Sequence, residues 1–399
     1  MNKLSYFAYY VEDRINVSNL SIKNYIGVDN LLPNRNGVVT SEYLPESGTA
    51  IAFKKGDILI GNIRPYFKKI WLATFNGGCS SDVLCIRSNG KMIPECLYAI
   101  LSQDLFFDYD MAGSKGSKMP RGDKSHIMNF PIPELLGQEK IGDFIISLNE
   151  KIKVNNKITA ELESMAKTLY DYWFLQFEFP NKEGKPYKSS GGKMVYNEKL
   201  KREIPEGWKV ENMMESSLCS DIKAGVDKFE SKNYLPTANI EGESITDGEY
   251  VTFDNRENRA NMQPVKYSVW FAKMKNSIKH LSIPENSEWF INKYILSTGF
   301  QGLKCTKTSF AYIHSIINSS WFETYKDILS HGATQEGVNN EDLKNIKYVV
   351  PSYNVLIEFN KICMPALEKK FSIIRENQEL VSLRDFLLPL LMNGQVTFK

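Results

Sequence analysis

The side chains best placed to do chemistry are basic and amide groups gathered in a few short stretches. GSKGSKMPRGDKSH (113–126) sets Lys115, Lys118, Arg121 and Lys124 within ten residues. Its glycines allow close backbone approach, and its small polar side chains can hydrogen-bond phosphate oxygens. At the matching place in the second half stands HGATQEGVNNEDLKN (331–345), less basic but carrying Gln335, Asn339 and Asn340. Amides pair a donor with an acceptor and so can read adenine. Two further stretches interleave cations with rings or amphipathic groups. IRPYFKK (63–69) offers Arg64, Tyr66, Lys68 and Lys69, and FAKMKNSIKH (271–280) offers Lys273, Lys275, Lys279 and His280. Such a mixture suits the grooves and backbone of double-stranded DNA. It also suits a solvated turn or an exposed strand face.

Covalent chemistry has no such foothold. The chain has no GxxxxGK[ST] phosphate loop and no GxSxG elbow. GSKGSK leads into MPRGDK rather than a helix, so it is no dinucleotide loop. The Asn-Pro-Pro-aromatic and Asp-Pro-Pro-aromatic tetrapeptides with which an amino-methyltransferase would hold a flipped base are missing. Four histidines, at 126, 280, 314 and 331, show no metal-ligand spacing. Six cysteines, at 79, 85, 96, 219, 305 and 363, have no CxxC pair and read as reduced, mostly buried thiols of a cytoplasmic protein. The expectation is a chain with no catalytic residues, no metal and no cofactor of its own.

Composition bounds the rest. At 399 residues with 42% hydrophobic and 24% charged, the chain is folded and has room for two or three domains. A net charge of +2 does not announce a nucleic-acid binder, so charge distribution must decide. No apolar run is long enough for a membrane span, and MNKLSYFAYYVEDRIN meets charge before any useful apolar core, so no cleaved signal is expected.

The elements that must hold these residues are written twice. Ile141, Leu148, Asn155, Leu162 and Leu169 recur every seven residues, and Ile145, Ile152, Thr159, Ala166 and Trp173 complete the alternating spacing of a coiled-coil seam. Shifted by 218, the first set becomes Phe359, Ala366, Ile373, Leu380 and Leu387. The second copy is more polar at Cys363, Lys370, Asn377 and Arg384, and Pro365 predicts a late start or a kink. Ahead of each helix lies a mixed region in which DILIGNI (57–63), DVLCIRS (82–88), YILST (294–298) and SFAYIHSII (309–317) are rich in β-branched and aromatic residues. The glycine- and lysine-rich stretch 181–203 reads as a flexible or irregular connector. The fold class expected is α+β. Two similar mixed α/β recognition domains (1–137 and 204–352) are separated by two long antiparallel helices (138–180 and 353–399) that form a coiled coil, with a pseudo-twofold internal repeat.

The order of these parts resembles the specificity subunit of type I restriction-modification systems over essentially the whole chain. Variable region, helix, connector, IPEGW (204–208), variable region, helix and LLPLLMNGQV (387–396) follow one another as in that family. GDILIGNIRPYFKK (56–69), GSKMPRGDK (116–124), PIPELLGQEKI (131–141) and NNKITAELESMAKTLYDYWF (155–174) are phrases similar to its members'. The resemblance implies that each variable region is a target recognition domain reading half of a split DNA sequence. It implies that the helices space the halves and dock two modification methyltransferase subunits. Those partners would methylate adenine at N6 with S-adenosylmethionine, and restriction or motor subunits would cleave. The specificity chain of a methylase-only or type II complex, or a coiled-coil adaptor without DNA, are the alternatives.

Overall fold

The computed structural model describes the chain apart from Glu134, Leu136, Gly242, Glu243, Asp247, residues 333–335, Asn393 and residues 397–399, and apart from the side chains of Glu241 and Ser244. It divides into two compact units, Met1–Val154 with Glu379–Lys399, and Asn155–Gln378.

In the first unit, one antiparallel sheet runs in the order Ala8–Tyr10, Val83–Ser88, Ile58–Gly61, Ile70–Leu72. Ile58, Leu59 and Ile60 are buried on both faces, which is why DILIGNI carries no polar alternation. The helix Pro94–Leu101 contributes to the same apolar cluster. A second sheet places Gly77–Cys79 between Thr49–Phe53, antiparallel to it, and Tyr25–Ile26, parallel to it. The second unit repeats this plan. Its antiparallel sheet runs Cys219–Ile222, Phe300–Cys305, Ser268–Ala272, His280–Ile283. Its second sheet again has a central strand, Tyr294–Ser297, with one parallel neighbour, Lys232–Leu235, and one antiparallel neighbour, Ala260–Met262.

One segment departs from its sequence texture. SFAYIHSII forms a helix, Phe310–Ile317, rather than a strand of a curved sheet. All eight residues are buried. A helix apolar all round shows the same short run of β-branched and aromatic residues as a buried strand.

The long helices are Gln138–Tyr170, continued by a π-turn through Leu175, and Tyr353–Met392. Seam positions alternate with exposed ones along both. Within the first unit, Ile141 and Ile145 share an apolar cluster with Leu388, Leu391 and Met392, and Arg384 donates to the Asn149 side-chain oxygen at 3.4 Å. Within the second, the Asn155 amide donates to Asn377 Oδ1 (2.8 Å) and Glu376 Oε2 (2.9 Å), Glu163 pairs with Lys370, and Trp173 meets Phe359. In each unit partner numbers fall as residue numbers rise, so the pairing is antiparallel. The late start expected from the proline does not occur: the second helix starts at Tyr353 and continues through Pro365. Pro365 is exposed, and so is Lys361, the residue whose carbonyl loses its amide partner.

The connector is also more ordered than its glycine and lysine content predicts. Tyr187 stacks on Phe179 (4.5 Å), Phe179 stacks on Trp208 of the IPEGW phrase (4.9 Å), and Met194–Asn197 pairs with Arg202–Pro205 in a hairpin. Three anchoring rings outweigh a flexible composition. Among the described residues no helix is long and apolar enough to cross a membrane.

Two tests follow from this packing. Asn155→Ala leaves the Asn377 oxygen without its buried donor and should lower the unfolding free energy by roughly 1–3 kcal/mol in denaturant titrations. His314 is buried, with Nδ1 in a hydrogen bond to the Ser282 hydroxyl at 2.6 Å. Burial, assisted by Lys370, drives its imidazole down to about 3. The unfolded chain then binds the extra proton, so the His314 contribution is complete above its ordinary 6.5 and is lost as pH falls toward 3. The unfolding midpoint of wild type should drop through that window, by at most about 1.4 kcal/mol per pH unit from this group. His314→Gln should flatten the slope.

Candidate nucleic-acid interface

In the first unit the basic loop is closed on itself and tied to a strand end. Lys115 and Arg121 exchange both backbone hydrogen bonds at 2.9 Å, and Gly116 makes the turn at φ +97°. Arg121 also bridges to Ile63, just beyond strand Ile58–Gly61. The Arg64 amide donates to the Pro120 carbonyl at 2.8 Å, and the Gly122 amide donates to the Asn62 carbonyl. The structure thus brings GSKMPRGDK and IRPYFKK together as one surface.

On that surface Tyr66 and Phe67 are exposed with ring centroids 4.8 Å apart. They are flanked by Arg64 and Lys68, both in the left-handed region at φ +54° and +52°. Lys68 pairs with Asp104 at 2.7 Å, Lys115 with Asp123 at 2.6 Å, and Arg121 with Asp82 at 3.1 Å. Burial pushes the Asp104 carboxyl up, but hydrogen bonds from Lys68 and Arg35 outweigh it and hold the group below its ordinary value. Such surface pairs are weak, so a phosphate can take over these cations at little cost. Lys118 is exposed and has no ion pair among the described residues. Lys124 lies 5.6 Å from the Tyr10 ring. Lys69 is turned inward: its ammonium donates to the Val28 carbonyl at 2.8 Å, and burial lowers its pKa.

The second unit builds its counterpart with the same backbone fastenings. His331 and Gly337 exchange both hydrogen bonds at 3.1 Å, and Gly337 also bridges to Met274, just beyond strand Ser268–Ala272. The Val338 amide donates to the Lys273 carbonyl at 3.0 Å. Lys275 pairs with Glu336 at 2.6 Å, and burial lowers the half-buried Lys273. Lys279 donates to the Ile240 carbonyl at 2.7 Å. The His280 ring is committed on both sides, Nδ1 to Asn318 at 3.0 Å and Nε2 to Glu323 at 2.8 Å. Asn339 accepts from the amides of Glu341 and Asp342 as the cap of helix Asn340–Leu343. Asn340 donates to Asp221 at 3.1 Å, and Gln335 lies outside the described residues.

The structure adds residues that the basic texture concealed. Asp82, Asp104 and Asp123 hold the cations, and Asp123 also caps helix Lys124–Ile127, a role legible in its place before that turn. Beneath each loop lies a ten-residue helix, Asp104–Gly113 or Ser320–Leu329, whose seventh residue is fully buried. In the second unit that residue is Lys326, donating to the carbonyls of Ala272 (3.2 Å) and Ser277 (3.0 Å) and to Glu323 (2.7 Å). In the first it is Asp110, whose carboxyl burial pushes up to about 6.

Comparison with known proteins places this architecture. No family model matches the chain. It is 23% identical to the type I restriction enzyme HindI specificity subunit of Haemophilus influenzae over 406 aligned positions, covering 86% of this chain and 87% of that one. It is 22% identical to the MjaIX specificity subunit of Methanocaldococcus jannaschii, covering 76% and 69%. Among solved structures, the type I restriction-modification S subunit from M. genitalium shares the fold, with a TM-score of 0.51, 13% identity, and coverage of 100% and 96%. With matches spanning most of both sequences, this chain is similar over its length to the specificity subunits of type I restriction enzymes.

Proposed function

We propose that this chain is the non-catalytic DNA-recognition subunit of a cytoplasmic type I restriction-modification complex. Residues 1–137 and 204–352 each read one half of a bipartite double-stranded target. The paired long helices set the gap between the halves and dock two modification methyltransferase subunits, with which restriction or motor subunits assemble. S-adenosylmethionine belongs to the modification partners. The observation that carries this reading is the pair of loops at 113–123 and 331–337, each fastened by main-chain bonds to the end of the equivalent strand. Their side chains differ almost completely, as two readers of different sequences require.

The loop cations supply the first test. Lys118→Ala or Lys115→Ala should weaken binding about equally for all duplexes in a mobility-shift titration. Each should lower the slope of log affinity against log salt by about one. A slope unchanged in both variants makes the loop a solvated turn.

The helices supply the second. At ~1.5 Å per residue, the 33 residues of Gln138–Tyr170 extend about 50 Å, enough for half-sites centred one helical turn of DNA apart. Seven residues inserted at matched places in both long helices should lengthen the unread gap and leave each half-sequence unchanged in methylation mapping of the assembled complex. The isolated chain should transfer no methyl group from S-adenosylmethionine.

A further inference from the structure

The geometry points to a binding site for one alkali-metal cation inside the first unit, formed by the carboxylate of Asp110 and the side-chain oxygen of Asn62. Asp110 is fully buried, and neither carboxylate oxygen has a hydrogen-bond partner in the chain. Asn62 is 9% exposed, and its Oδ1 is likewise unpartnered. The two groups face the same small space. A Cβ built on Gly122 would lie 2.2 Å from Asp110 Oδ1 and 2.9 Å from Asn62 Oδ1. Glycine at 122 therefore keeps both oxygens within one ion's reach.

Buried acceptors without donors cost free energy, and a buried carboxylate without a counter-charge costs far more. Two ionisable side chains are coupled to this carboxylate, the phenol of Tyr10, which the Asp110 charge helps to keep neutral, and the imidazole of His126. The phenol donates to the Lys124 carbonyl at 3.2 Å, and His126 is no freer. Its ring is already engaged, with Nε2 3.0 Å from the Tyr109 carbonyl and the ring stacked on Tyr109 at 4.1 Å. The chain thus leaves three oxygens, and one negative charge, to be satisfied from solution.

The internal repeat says what kind of charge belongs there. Lys326 holds the equivalent place in the second unit, seventh in its helix as Asp110 is in its own. Each lies beneath a loop fastened at the same spacing, Lys115 to Arg121 in one and His331 to Gly337 in the other. There an ammonium, a compact monovalent cation, bonds two carbonyls and a carboxylate. One unit carries its cation covalently; the other presents oxygens that would hold a free one. The ligand charge selects the valence. One carboxylate and one neutral amide balance a single positive charge, whereas a divalent ion would leave net charge buried. All donors are oxygens, which excludes soft metals. A cation here would brace the 113–122 loop from below, since the Gly122 amide bonds to the Asn62 carbonyl.

The test uses the full-length chain without DNA, so it can fail independently of the DNA-binding reading. Thermal unfolding is followed at one ionic strength in potassium chloride, sodium chloride or tetramethylammonium chloride, the last cation being too large to enter. The midpoint of the first unit should be about 2–4 °C higher in at least one of the alkali salts. A response to one alone assigns the ion. Asp110→Asn keeps the shape and removes the charge, and should abolish the difference. Equal midpoints for wild type in all three salts, or the same salt preference in Asp110→Asn, would overturn the site. If Asp110→Asn does not fold, wild-type crystals grown in thallium(I) acetate decide. An anomalous peak between Asp110 and Asn62 supports the site, and its absence refutes it.

Discussion

Main-chain hydrogen bonding between a loop and the end of a strand is the constraint on which the two loop surfaces depend. A backbone bond takes no notice of side-chain type. Once Ile63–Arg121 and Met274–Gly337 are paired through their peptide groups, the residues between the anchor points can change without loosening the frame. Two loops with almost no side chain in common therefore hold the same position on similar sheets. Cap and fastening are conserved in role even where the residues differ: Asp123 in one unit, Asn339 in the other.

The long helices solve a different problem, that of holding one register along many turns. An all-apolar seam could slip by a heptad at modest cost. The buried Asn155, bonded to Asn377 and Glu376, penalises every shifted pairing, because each would bury amide groups without partners. Asn377 adds a bond to Asn156 at 2.9 Å. The polarity that weakens the second helix as a hydrophobic stripe strengthens its choice of alignment.

Much of this was legible before the fold was known. The heptad positions and the repeat follow from periodicity, and the strands DILIGNI and DVLCIRS from their β-branched content, since burial on both faces leaves them no period. What escaped was tertiary. SFAYIHSII looks like a strand because complete burial erases the helical period. Pro365 looks like a break because its exposure is not written in its neighbours. His280 and Lys279 look like surface cations, but their partners, Glu323 and the Ile240 carbonyl, lie far away in the chain. The carboxylates that hold the loop cations were hidden for the same reason. Asp104 and Asp82 stand in unremarkable contexts, and only folding brings them to Lys68 and Arg121.

The first unit is discontinuous: its apolar cluster includes Leu388, Leu391 and Met392, which the chain reaches only after all of Asn155–Gln378. A ribosome therefore releases the second unit's sequence before the first unit's core can be filled. The helix face that carries Ile141 and Ile145 must wait, uncovered, until Leu388–Met392 has been made. Vectorial folding, usually amino-terminal first, cannot complete the first unit before the second has been made. A nascent chain shorn of its last helical turns would carry a completed second unit beside an unfinished first one.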